Sequence, residues 1–259
     1  YNYGNSPDMD KLSEIAEKHG LALIEDCARA HGFMWRNKPA GSIGDIGCFS
    51  FQQGKLMTAG EGGIIITNNM LYAERCRALR TCGRIGGDDV YNVGIDYWWN
   101  WWNFRMTQFQ AAILLVQLER LVEQTKTRQA NSEYLSRRLS EIEGITPLKT
   151  DVRLTRHQPW PYLFKYDSKC FGNIPVERFV EALKAEGVPC GSIDHPPLSM
   201  TLTAHGSQSR IVRKPKYPVA EDAIRKAVTL PQSIFLGARE DIDDIVEAIV
   251  KIKTHSGEL

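Results

Sequence analysis

Between Met9 and His19, apolar residues return with a helical period at Leu12, Ile15 and Ala16, and Gly20 stands where a left-handed cap is needed. Leu21 to Glu25 continues as a short apolar run, the pattern of a strand covered on both faces. His31 to Gly44 is punctuated by glycine and proline and reads as a connection holding a small hairpin. Gly47 to Phe51 and Gly63 to Thr67 predict two further buried strands, and Leu71 to Arg80 predicts a helix. Strand and helix alternate, so the first half reads as an α/β layered sheet.

A much longer helical pattern starts near Thr107. Its apolar positions include Phe109, Ala112, Ile113, Leu115, Val116, Leu118 and Leu121, and it continues to about Ile142. A helix of that length commonly bridges two domains, which places a boundary near residue 128 and divides the chain into 1–128 and 129–259. After Gly144 the order changes. A strand at Tyr162 to Tyr166 is followed by a helix at Val176 to Glu186, a proline-rich loop and a closing helix at Arg239 to Lys253. The second part is thus a smaller α+β domain.

Composition narrows the classes. With 259 residues, 42% apolar and 24% charged, the chain has the balance of an ordinary globular protein. A formal net charge of +1 provides no electrostatic footprint for nucleic acid or a membrane surface. No apolar run approaches spanning length. The six cysteines show neither CxxC pairing nor a disulfide framework, which suits a reduced, cytoplasmic setting. The six histidines lack zinc-site spacing, so no metal is expected. The opening YNYGNSPDMDKL has no starting methionine and no signal composition, and reads as the middle of a domain.

The chemistry concentrates in Ser50 to Gly63, SFQQGKLMTAGEGG, and in the upstream LALIEDCARAHG. Lys55 lies between an aromatic strand and a glycine-rich turn. Asp26 ends an apolar strand, the position where α/β sheets hold ligands. An amine, a carboxylate and a phosphate-binding hydroxyl on successive strand ends are what pyridoxal 5'-phosphate requires. The lysine condenses with its aldehyde, and the carboxylate keeps its ring nitrogen protonated. A lone lysine is ordinarily a solvated charge, but flanking glycines are costly around a surface charge. Glu25 competes with Asp26, although strand alternation turns it to the opposite side. Ser50 is either a phosphate ligand or a locally bonded strand-end serine; its chemistry leaves both open. In YWWNWWNF, the side chains of Tyr97, Trp98, Trp99, Trp101, Trp102 and Phe104 suit ring stacking or a subunit interface. Four tryptophans in five positions cannot all face one cofactor, which favours the interface.

These segments, with NFRMTQFQAAILLVQLERL and YPVAEDAIRKAVTLPQ, resemble the DegT/DnrJ/EryC1/StrS sugar and cyclitol aminotransferase family in the correct order over essentially the whole chain. The resemblance implies a fold-type I pyridoxal phosphate enzyme: a partial large domain with a mostly parallel sheet, and a smaller carboxy-terminal domain. It makes Lys55 the lysine bound to the cofactor, Asp26 the partner of the pyridine nitrogen and Ser50 a phosphate ligand. Asn103 matches an asparagine that reaches the phosphate of a neighbouring subunit, which implies a homodimer with shared sites. Arg29 departs from the pattern, standing where relatives carry glutamine or histidine near the ring's phenolic oxygen. The family's preceding amino-terminal segment is not in this sequence. SFQQGKLMTAGEGG most resembles enzymes that aminate inosose rings for aminocyclitol antibiotics, and is close to 3-amino-5-hydroxybenzoate synthases.

The expected activity is therefore amino transfer from glutamine or glutamate to a keto-cyclitol or keto-sugar. Dehydratases of the family carry a histidine in place of the lysine, so Lys55 argues against elimination. A non-catalytic remnant is the third expectation, motivated by the absent leading segment.

Overall fold

Asp8 starts helix α1 (Met9–His19) by accepting from the backbone N–H of Lys11 at 3.2 Å, and Gly20 closes it at φ 61°. Periodicity predicts this helix with the same bounds. The structure is a computed structural model that describes residues 1–83, 102–193 and 217–259. Tyr97, Trp98, Trp99 and Trp101, and the proline-rich loop after Ser192, lie outside the described residues. The chain divides into two units, Tyr1–Lys126 with Asp151–Gln158, and Thr127–Thr150 with Pro159–Leu259.

The first unit is built on a three-stranded sheet. Strand β1 (Ile24–Asp26) runs into a connection that holds the expected hairpin, β2 (Met34–Trp35) and β3 (Lys38–Pro39). It continues to β4 (Ile46–Ser50) and β5 (Gly63–Ile66), and the sheet order is β1-β4-β5. β1 pairs parallel to β4, with Asp26 opposite Cys48, and β5 returns antiparallel to β4. The hairpin gains a third strand from residues 154–156, β7. Around it Arg153 pairs with Asp8, Asp10 and Asp151, and lies over the Trp35 ring at 4.5 Å.

Two sequence expectations need correction. The run from Leu21 forms a strand only over Ile24–Asp26, and Leu21 and Ile24 are 59% and 62% exposed. β5 was expected to be buried, yet Ile64 and Ile65 are about half exposed, at 48% and 49%. An apolar run reports the solvent preference of its side chains but not which described residues cover them.

Helix α2 (Met70–Arg80) begins at Asn69, whose Oδ1 accepts from the N–H groups of Leu71 and Tyr72. Helix α3 (Gln108–Leu139) begins with a reciprocal cap: Gln110 N donates to Thr107 Oγ1, and Thr107 N to Gln110 Oε1. It ends three residues short of the expected Ile142, in a turn where Ile142 N donates to the Leu139 carbonyl. Its residues up to Lys126 belong to the first unit and the remainder to the second.

In the second unit, β6 (Ile145–Pro147), β8 (Tyr162–Tyr166), β10 (Ala227–Leu230) and β9 (Gly191–Ser192) form an antiparallel sheet in the order β6-β8-β10-β9. Helices α4 (Val176–Ala185), α5 (Pro218–Lys226) and α6 (Arg239–Thr254) complete it. The core is closed and aromatic: Tyr166 stacks on Phe179 at 4.3 Å, and Phe171 meets Phe179 edge-on at 5.4 Å. Phe164, Leu183, Phe235, Ile242 and Ile249 pack around them with no exposure. Among the described residues no helix is long and apolar enough to cross a membrane.

Candidate active site

Parallel pairing of β1 and β4 brings their carboxyl ends side by side, with Asp26 ending one strand and Ser50 the other. Ligand sites of α/β sheets form at such ends. Alternation then separates the two acidic neighbours. Glu25 is buried, 4% exposed, and accepts hydrogen bonds from Tyr1 Oη at 2.7 Å and from the N–H groups of Gly41, Ile43 and Gly44 at 2.7–2.8 Å. It gathers the 41–44 turn beneath the sheet, a structural task that removes it from competition with Asp26. Burial and this carboxylate push the Tyr1 phenol far above its ordinary pKa. Asp26 is exposed on the other side, and its Oδ1 accepts from Ala28 N at 3.0 Å.

The segment after β4 is a loop tied at both ends to one residue. Phe51 N donates to the Gly62 carbonyl at 2.8 Å, and the Phe51 carbonyl accepts from Ala59 N and Thr58 Oγ1 at 3.1 and 3.0 Å. Gly60 and Gly62 take φ values of 83° and 135°, which favour glycine, and the tail GEGG supplies them. Gln110 Nε2 of α3 donates to the Glu61 carbonyl at 2.9 Å and holds the loop's outer side. Lys55 sits at the loop's apex region, half-buried, with its N–H donating to the Gln52 carbonyl at 2.9 Å.

Electrostatics join the predicted residues. Partial burial and, after it, the Arg29 guanidinium lower the Lys55 pKa below the usual lysine value, while the Asp26 carboxylate opposes them. Arg29 donates from Nη1 to Asn2 Oδ1, and its guanidinium lies 5.9 Å from the Tyr3 ring centroid. Ser50 is partly exposed and its Oγ accepts from Gln52 N at 3.4 Å. Asn103 is engaged elsewhere, in a bridge to Thr81 with its Oδ1 accepting from Arg105 N. Beside it Trp102 and Phe104 stack at 5.9 Å and are 60% and 65% exposed.

His31 escaped the sequence reading. It is 2% exposed, with its ring against Phe49 and Phe51 at 5.5 and 5.9 Å. Burial first, and the Lys55 charge in addition, push its pKa down to about 4. Five positions beyond Asp26, it carried no spacing signal; only the tertiary fold sets it against β4.

The donor set fits pyridoxal 5'-phosphate: an amine held below its ordinary pKa, a carboxylate acting on it, a guanidinium and a strand-end hydroxyl. Comparisons with known proteins agree with the fold. The sequence profile of the DegT/DnrJ/EryC1/StrS aminotransferase family matches residues 2–250. A putative L-glutamine:3-amino-2,3-dideoxy-scyllo-inosose aminotransferase of Micromonospora echinospora is 36% identical, over 97% of this chain and 63% of its own length. An L-glutamine:2-deoxy-scyllo-inosose aminotransferase of Streptoalloteichus tenebrarius is 35% identical, over 99% and 64%. Among solved structures, 3-amino-5-hydroxybenzoic acid synthase superposes with a TM-score of 0.79 at 28% identity, over 98% of this chain and 66% of that one. The chain thus spans less than two thirds of the length of these curated relatives. It belongs to the DegT/DnrJ/EryC1/StrS aminotransferase family, on the fold-type I framework.

Proposed function

We propose that this family member transfers an amino group from glutamine or glutamate to a keto-cyclitol or keto-sugar, in aminocyclitol or amino-sugar biosynthesis, using pyridoxal 5'-phosphate. One observation carries the reading: the charges of Arg29 and Asp26 both act on the Lys55 amine, where the carboxyl ends of parallel β1 and β4 adjoin. The bound cofactor supplies an aldehyde and an electron-withdrawing ring.

The chain's own residues divide the remaining work. Lys55 Nζ would hold the cofactor's aldehyde, and its amine would serve as the general base that carries a proton. A lowered pKa suits both tasks, because each needs the neutral amine. Asp26 holds a proton on the ring nitrogen by its negative charge. Ser50 offers its hydroxyl to the phosphate, and Arg29 provides a fixed cation for the phenolic oxygen. Asn103 serves the phosphate of a second subunit in a homodimer. The exposed Trp102–Phe104 pair and Phe109, 85% exposed, support an interface along this segment. Six free cysteines support a cytoplasmic setting. The keto-cyclitol acceptor is preferred to the 3-amino-5-hydroxybenzoate alternative because the inosose relatives share 35–36% of their residues with this chain, against 28% for the synthase.

Titration of pyridoxal phosphate into the chain, followed by visible absorbance, tests the reading. Stoichiometric binding with a band that Lys55→Ala lacks supports it. An unchanged band in Lys55→Ala overturns the lysine's role. An assay that yields a keto-deoxy product without amino transfer overturns the reaction class.

A further inference from the structure

We propose that Arg156 and Gln158 are positioning residues for the candidate site. Their side chains hold the carbonyls of Gly32 and His31, and thereby fix the turn that carries Asp26 and Arg29; this rests on the reading that both residues serve the cofactor. His31 and Gly32 lie outside helix and strand, and among the described residues no backbone N–H donates to either carbonyl. Acceptors in so buried a stretch need partners from elsewhere. Gln158 Nε2 donates to the His31 carbonyl at 2.8 Å, and Arg156 Nε donates to the Gly32 carbonyl at 2.6 Å.

From Asp26 to Phe33 the chain makes two consecutive turns. Ala30 N donates to the Cys27 carbonyl at 2.9 Å, and Phe33 N to the Ala30 carbonyl at 3.1 Å. The near end is tied to the sheet, where Cys27 N donates to the Cys48 carbonyl at 2.8 Å, and Ala28 N closes on Asp26 Oδ1 at 3.0 Å. Cys27, Ala30 and Phe33 are buried, while Asp26 and Arg29 between them stay accessible. The far end is held by Arg156 and Gln158, with α3 close behind: a Cβ on Gly32 would stand 2.9 Å from Thr125 Oγ1.

The segment that supplies the two donors is itself well anchored. Strand β7 sets Arg156 opposite Met34 and Leu154 opposite Trp35. Arg36 N donates to the Arg153 carbonyl at 2.7 Å, and Asn37 N to Thr155 Oγ1 at 3.0 Å. Leu154 and Gln158 are buried, and Arg153 pairs with three carboxylates. Residues 151–158 thus form a strap, more than a hundred positions downstream of the turn, that backs it from the first unit's own frame. Its bearing on the chemistry follows from distance. Arg29 and Asp26 act on the Lys55 charge, and such effects weaken as charges separate, so a turn that drifts changes the amine's readiness.

The first measurement needs no cofactor. In Gln158→Met and in Arg156→Met, amide exchange at Ala28, Ala30 and Phe33 should accelerate about tenfold, the effect of one lost hydrogen bond to a buried carbonyl. Arg156→Lys keeps a donor and should stay near wild type. The amides of Gly41, Ile43 and Gly44, held by Glu25, should keep their rates in all three variants. The second measurement follows the visible band of the chain titrated with pyridoxal phosphate, as a function of pH. Its midpoint reports the charges around Lys55; it should move in both Met variants, return in Arg156→Lys, and stay in place in Phe179→Ala, which weakens only the second unit's core. Acceleration shared equally by the Glu25-held amides overturns the proposal, as does a midpoint unmoved in both Met variants. A wild-type chain that forms no band counts against the aminotransferase reading instead, and the exchange rates then decide the strap's role alone.

Discussion

In the second unit Phe164, Phe171, Phe179, Leu183 and Ile249 are sealed from solvent, whereas in the first Ile24, Ile64, Ile65 and Phe109 expose about half of their surface or more. The difference follows what holds each unit together. The second unit's order comes from aromatic and aliphatic burial within its own described residues. The first unit, which carries the candidate site, relies on directed hydrogen bonds around a thinner core. Glu25 gathers the 41–44 turn, Phe51 closes the Lys55 loop, and Gln110 braces that loop from α3. Non-directional burial suffices to stabilise a core, but placing an amine beside a carboxylate needs directional contacts.

The comparison is broken most sharply by Phe179→Ala. With Tyr166 stacked on one face and Phe171 on its edge, it should lose about 3–5 kcal/mol in urea unfolding. A loss below 1 kcal/mol would contradict a closed core. Next comes Glu25→Gln, which turns a four-fold acceptor into a group carrying two donors of its own. We expect a loss of about 3 kcal/mol, with amide exchange at Gly41, Ile43 and Gly44 accelerated.

A third measurement is the pH dependence of stability. The folded pKa of His31, about 4, lies below its ordinary 6.5, so the unfolded chain binds the extra proton between these values. That contribution is complete above about 6.5 and is lost as pH falls towards 4, by roughly 3 kcal/mol. His31→Leu should flatten this part of the profile in unfolding experiments run across the window. The smallest effect belongs to the open strand. Ile64→Thr, at a half-exposed position, should change stability by less than about 0.5 kcal/mol. A large loss there would show that β5 is covered in solution.

Much of the local structure was legible because local rules govern it. Helix α1 has its cap, period and terminating glycine within thirteen residues, and β8 and α6 follow their patterns to within a residue. Strands β9 and β10 were missed: two and four residues are too few for periodicity, and their partners are distant in sequence. At the proposed site, Lys55, Asp26 and Ser50 stand out in the sequence as candidates because their chemistry and spacing around strand ends are unusual for a surface. The separation of Glu25 from Asp26 followed from alternation, but the donors that occupy Glu25 did not.

By itself the sequence determined the longer helices and the main strands of the first unit, the family, and the residue types that a vitamin-derived aldehyde would require. Those properties are set by neighbours a few positions apart or by motifs carried whole. The tertiary structure alone decided that Ile24 and Ile64 face solvent, that Arg29 bears on Lys55, and that the His31 ring is buried against Phe51. Each of these depends on chain segments brought together across twenty or more residues, and burial and charge are properties of that assembled neighbourhood.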